Sequence, residues 1–88
     1  MLKVTCVAES DKSVRLKLEG RVVGEWIDVL ERECKVCLGQ RSELILDLSA
    51  ISFVDDRGVK MLKAMQGDRV RLTGCSLFLS ELLGRGEQ

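Results

Sequence analysis

The sequence predicts one α/β domain: a mixed sheet of about four strands opened by an antiparallel hairpin, with helices mainly on one face. Two observations carry this. Side chains alternate at period two up to Leu18, and from Glu25 onward helical spacing alternates with short apolar runs. The order is strand, strand, helix, strand, helix, strand, helix. Strands separated by helices imply crossover connections and parallel pairing after the hairpin. A chain of 88 residues has room for one core, placed here in residues 1–84, and the polar run Gly84-Arg85-Gly86-Glu87-Gln88 is expected to fray from residue 85 onward.

Leu2, Val4, Cys6 and Ala8 alternate with polar neighbours, as do Val14, Leu16 and Leu18, so each segment reads as a strand with one buried face. Ser10-Asp11-Lys12 between them is turn chemistry. Gly20 and Gly24 bracket Arg21-Val22-Val23 and break the alternation. A helix is predicted from Glu25 to about Leu38, with Ile27, Leu30, Cys34 and Leu38 on the inward stripe, Trp26 beside it as a packing anchor, and Gly39 as the stop. Leu44-Ile45-Leu46-Asp47-Leu48 hardly alternates, which is the appearance of a strand covered on both faces. Asp47 within it needs a hydrogen-bond partner or an exposed strand end. A second helix is expected over Asp56 to Gln66, with Val59, Leu62 and Met65 inward. A short strand follows over Arg69 to Leu72, and a last helix over Ser76 to Leu83, with Ser76 as N-cap.

Composition narrows the chemistry. Lys plus Arg and Asp plus Glu are 14 each, so no basic field exists for a nucleic acid backbone. With 3% aromatic residues, base-stacking platforms are also lacking. The chain contains no histidine, which removes Ser-His and Cys-His nucleophile pairs and imidazole zinc sites. The N-terminal MLKVTCVAES lacks the apolar core of an export signal, and no run is long enough to span a membrane, so a cytoplasmic protein is expected. In that setting Cys6, Cys34, Cys37 and Cys75 read as reduced, small apolar residues. The Cys34-x-x-Cys37 pair falls late in its predicted helix, where the dipole opposes thiolate formation, so redox work is not expected.

The stretch that concentrates polar chemistry is Phe53-Val54-Asp55-Asp56-Arg57-Gly58-Val59. With Asp55 as N-cap, Asp56 takes the first helical position and Val54 can staple to Val59. Helix-start chemistry does not explain Arg57, which the dipole opposes, or Gly58, which costs about 1 kcal/mol relative to alanine inside a helix. Carboxyl ends of parallel strands are where open α/β sheets meet ligands and partners, and this junction lies there. A partner-binding surface formed by Asp55, Asp56, Arg57, Gly58 and Val59 is therefore expected, with Met61 adding apolar area and Gly58 admitting another backbone.

The run from Leu46 to Val59, LDLSAISFVDDRGV, resembles the signature of STAS domains, the family of sulphate transporter and anti-sigma factor antagonist modules, and the order of the remaining elements agrees over nearly the whole chain. The resemblance implies a STAS-like sheet and a non-enzymatic regulatory module that binds protein and needs no cofactor or metal. It implies a cytoplasmic partner, either an anti-sigma factor resembling a serine kinase or a transporter ATPase subunit. Asp55 matches the aspartate of the family's Asp-Ser-Ser-Gly motif and Gly58 its glycine. The two serines correspond to Asp56 and Arg57. The position of the family phosphoserine is thus Arg57, which cannot be phosphorylated, and the familiar phosphoswitch is expected to be absent. Ser49 and Ser52 are the nearby hydroxyls that offer alternative acceptors, although hydrogen bonding at a strand end is the simpler use of each. Nucleotide binding at the same junction is a competing reading, weakened by the lack of a phosphate-cradling glycine loop.

Overall fold

The computed structural model describes residues 2–83; the expected frayed tail lies outside the described residues. Seven elements follow in the expected order: β1 (Leu2–Glu9), β2 (Ser13–Val22), α1 (Glu25–Gln40), β3 (Glu43–Val54), α2 (Asp56–Met65), β4 (Val70–Thr73) and α3 (Leu77–Leu82). They form one sheet in the order β1-β2-β3-β4. β1 pairs antiparallel with β2, and the β2–β3 and β3–β4 pairings are parallel. The hairpin turn is held by Ser10, whose Oγ accepts from the Ser13 amide at 3.1 Å.

The core is built from alternate residues of the strands, Val14, Leu16, Leu18 and Val22 from β2, Leu44, Leu46, Leu48 and Val54 from β3, and Val70 and Leu72 from β4. Ile27, Leu30 and Cys34 of α1 and Met61 and Leu62 of α2 are buried with them. Fully burying one such aliphatic side chain contributes about 1.5–3 kcal/mol, so this layer is the main stabilising feature of the domain. α3 adds Leu79 and is capped by Ser76, whose Oγ accepts from the Leu79 amide at 3.1 Å.

Several expectations are corrected. Leu44 to Leu48 is not covered on both faces: Leu44, Leu46 and Leu48 are buried, while Ile45 and Asp47 point to the other face and are only half-buried. That face carries Arg15, Lys17, Asp47, Arg71 and Thr73, side chains that stay at water. Asp47 finds its partner locally, accepting from the Ser49 amide at 3.0 Å. Gly20, where the alternation is expected to break, lies inside β2, which runs on to Val22. At φ 107 it sits beside an irregularity where Gly20 pairs with Ile51 but Arg21 pairs with Phe53, a kink that glycine tolerates. Gly39 does not stop α1, which runs on to Gln40. Gly39 lacks the positive φ of a C-terminal cap, and the Arg41 amide closes the helix onto the Cys37 carbonyl. β1 is buried at Leu2 alone, and Cys6 and Ala8 are exposed. The strand lies at the sheet edge, and a register shift between Cys6 and Ala8 turns it out of phase. β4 begins one residue later than expected and includes Thr73.

Candidate functional site

β3 is the longest strand and extends past the end of β4, pairing only with β2 over its last residues. Phe53 and Val54 finish it, and the chain then turns directly into α2. The turn is fixed by Asp55 in extended conformation. Its backbone N–H donates to the Val22 carbonyl at 3.1 Å and its Oδ1 accepts from the Gly58 amide at 2.8 Å. Its second oxygen, Oδ2, accepts from the amide of Gly24 at 3.2 Å. Gly24 is the N-cap of α1, and α1 has no side-chain cap of its own. One carboxylate therefore ties together the N-termini of two helices, whose dipoles both favour negative charge there.

The expected site residues separate into two groups. Asp55 is half-buried and Gly58 buried, so both build the tip instead of presenting it. A Cβ at Gly58 would come within 2.7 Å of Val54 Cγ1 and 2.9 Å of the Val22 carbonyl oxygen. The close backbone approach that a glycine invites is thus made by this chain's own β2. Met61 is likewise buried in the core and offers little contact area, a correction to the sequence reading, and Val59 is half-buried against the core. Asp56 and Arg57 remain exposed at the surface.

Arg57 projects over α1, with Nη2 3.8 Å from Asp28 Oδ1 and side-chain exposures of 67% and 65%. An exposed pair at that distance contributes less than about 1 kcal/mol, so the guanidinium is steered but available. Below it lies an open groove of ≈ 330 Å³ between the helices, lined by Ile27, Asp28, Glu31, Arg57, Lys60 and Met61. On the sheet side of the tip Phe53 is 44% exposed, with the Arg21 guanidinium carbon 5.5 Å from its ring centroid. Sequence reasoning included Phe53 in the junction but missed Asp28 and Arg21 as neighbours of the tip. Arg21 and Phe53 meet only because β3 carries the irregular pairing that sets them side by side.

Ser49 and Ser52 are both exposed on β3. The Ser52 hydroxyl donates to the Gly20 carbonyl at 3.1 Å, and the Ser49 amide binds Asp47. Hydrogen bonds from Ser49, with smaller help from Arg15 and Lys17, hold the Asp47 carboxyl below its ordinary range. The Cys34-x-x-Cys37 pair lies in the second half of α1, and burial pushes the Cys34 thiol up to about 12 and raises Cys37 as well. Thiols shifted in that direction are poor nucleophiles. Among the described residues no group of three or more His, Cys, Asp or Glu side chains is arranged to hold a metal ion, and no helix is long and apolar enough to cross a membrane.

No family model and no curated protein matches the sequence. Solved structures do. The anti-sigma factor antagonist SpoIIAA in its unphosphorylated form superposes with a TM-score of 0.69 at 17% identity, over 91% of this chain and 80% of that one. The chain has the STAS fold. The STAS domain of an antisigma-factor antagonist from Rhodobacter sphaeroides superposes with a TM-score of 0.58 at 18% identity, covering 83% of this chain and 86% of that chain. Identity this low leaves the side chains at the α2 tip to be judged on their own chemistry.

Proposed function

We propose that this STAS-fold domain is a regulatory protein-binding module of the anti-sigma factor antagonist kind, whose contact surface is the tip of α2. The observation that carries the reading is the exposed Asp56–Arg57 pair on a helix start locked by the bridging Asp55 carboxylate. Preorganised charge of this sort gives specificity and association rate more than raw affinity. Phe53 and Arg21 extend the surface along the end of β3. The partner is a protein that offers a carboxylate to Arg57, and a kinase-like anti-sigma factor is the first class to test.

A residue that cycles between neutral and about two negative charges would switch such a contact, whereas arginine holds a constant positive charge. Binding through this tip is therefore constitutive with respect to phosphorylation at position 57. A transport ATPase subunit is the other partner class, and the same surface would serve it. Nucleotide binding is disfavoured at the tip, since Asp55 and Asp56 repel polyphosphate and the Asp55 oxygens already occupy the Gly24 and Gly58 amides.

The test is titration calorimetry against a purified kinase-like anti-sigma factor, with a transport ATPase subunit as the alternative titrant. Arg57→Glu is expected to weaken binding by at least about tenfold with an unchanged melting temperature, the size of effect typical of a lost interfacial charge pair. Unaltered affinity removes the tip from the interface. Incubation with the kinase and ATP is expected to add no phosphate, and an 80-dalton increase mapped to Ser49 or Ser52 would restore a phosphoswitch at a new position. Nucleotide with magnesium is expected to leave the melting temperature unchanged; saturable stabilisation would favour nucleotide binding.

A further inference from the structure

Two cysteines far apart in the sequence converge where the edge of the sheet meets the end of α1. Cys6 lies on β1 opposite Leu16, and directly opposed residues of an antiparallel pair project to the same face. Leu16 is buried in the core beneath the helices, so Cys6 points to the helix-covered face. It is exposed there because β1 is the outermost strand, and its thiol donates to the Ala8 carbonyl at 3.8 Å, beside the register shift. Cys37 sits in the last turn of α1, half-buried against the core. The two segments are tied together one step further along. Arg41, whose amide donates to the Cys37 carbonyl at 2.8 Å, is ion-paired with Glu9, three residues beyond Cys6. The thiols are also close enough to sense each other: burial raises the Cys37 thiol, followed by the charges of Glu33 and of the Cys6 thiol, with Arg41 opposing them.

We propose that Cys6 and Cys37 form a reversible disulfide when the protein meets a peroxide, stapling the β1 edge to α1. Cys6 is the thiol that an oxidant in solution reaches. Its sulfur attacks one oxygen of hydrogen peroxide, the O–O bond breaks, the thiol proton leaves with the departing oxygen as water, and Cys6 becomes a sulfenic acid. The Cys37 sulfur then attacks the sulfenic sulfur. The S–S bond forms, the S–O bond breaks, and hydroxide departs as a second water with the Cys37 proton. Two thiols lose two electrons and one peroxide is reduced to two waters, and a dithiol reductant reverses the link by exchange. The raised thiol of Cys37 makes the second step the slow one. A disulfide requires the two Cα atoms within about 7 Å, and the edge strand, irregular beside Cys6, supplies the adjustment. The other cysteines are worse placed. Cys34 is fully buried with its thiol pushed up to about 12. Cys75 follows β4 at the opposite edge of the sheet, three strand spacings or about 14 Å across. The α2 tip adjoins the start of α1, and Cys37 lies at its other end, so the staple is independent of partner capture by Arg57.

Mass spectrometry of the full chain tests the link. Trypsin places Cys6, Cys34 and Cys37 on separate peptides, residues 4–12, 33–35 and 36–41, so each pairing is read directly. After about 1 mM hydrogen peroxide the intact monomer is expected to be about 2 Da lighter, and digestion without reductant to yield peptide 4–12 joined to peptide 36–41. Dithiothreitol should restore the starting mass. Cys6→Ser, at an exposed position, is expected to abolish the link, whereas Cys75→Ser should leave it in place. Cys37→Ser is expected to halt at the sulfenic acid of Cys6, trapped by dimedone. In hydrogen exchange the linked form should protect Cys6 to Glu9 by at least about tenfold over the reduced form, because the edge no longer opens alone. Peptide 33–35 joined to peptide 36–41, a mass loss that survives Cys6→Ser, or peroxide treatment that leaves Cys6 unlinked overturns the proposal. Unchanged exchange in the linked form overturns the stapling of the edge.

Discussion

At the scale of single residues, Asp55 and Gly58 show how an expected contact residue becomes a scaffold residue. Asp55→Ala removes the cap of α2 and leaves the Gly24 amide without its acceptor. The expected loss is about 1–2 kcal/mol, or roughly 4–16 °C in melting temperature for a domain of this size, read by thermal denaturation. Gly58→Ala gains about 1 kcal/mol of helix propensity but forces a Cβ into the Val22 carbonyl and Val54, and overpacking against backbone costs about 1–3 kcal/mol. Net destabilisation is expected, and a melting temperature above wild type would refute the packing role. Cys34 supplies a pH dependence. Its thiol is held neutral in the fold up to about 12, against an ordinary value of 9.0, so the unfolded chain releases its proton first. Stability linked to this group is fully present below about pH 9 and declines as pH rises towards 12, with Cys37 acting in the same sense. Urea midpoints at pH 8 and pH 10.5 should therefore differ more for the wild type than for Cys34→Ala.

At the scale of elements, agreement and failure have identifiable causes. The order and type of all seven elements were legible, because periods of two and 3.6 are local and the caps at Asp55 and Ser76 announce themselves. What the sequence concealed was long-range. β3 continues through Ser49–Val54 because β2 continues beside it, and its two register shifts against β2 mask the alternation that would have disclosed it. The carboxylate of Asp55 reaches an amide 31 residues away, a link that no local pattern encodes. Gly39 reads as a helix stop by type, yet the helix passes through it, since Arg41 and Ser42 supply the exit and Ser42 and Glu43 both donate to the Lys12 carbonyl. Gly39→Ala has open space around the new methyl and a backbone that accepts it. It should stabilise the domain by about 0.5–1 kcal/mol, visible as a higher denaturant midpoint.

At the scale of the whole molecule, the sheet has one packed face and one wet face, and its strands are unequally held. The apolar run in β3 suggested cover on both sides, but Ile45 and Asp47 show that hydrophobicity at alternate positions was sufficient to build the core and that Ile45 is a large side chain on an otherwise polar surface. Among the strands, β3 has neighbours on both sides, and β1 has one neighbour, one buried side chain and a register shift in its second half. Local opening free energies follow buried contacts, so the domain should open from its β1 edge long before it unfolds globally. Hydrogen exchange under native conditions is expected to show the second half of β1, Cys6 to Glu9, exchanging first, while Leu44, Leu46 and Leu48 exchange only through global unfolding. The ion pair from Arg41 to Glu9 is the one side-chain tie holding that end of β1 near the end of α1 among the described ion pairs. Glu9→Gln should accordingly speed exchange in β1 without changing that of β3. Equal protection across both strands would mean that the sheet opens as a unit and that its edge is held by something other than these contacts.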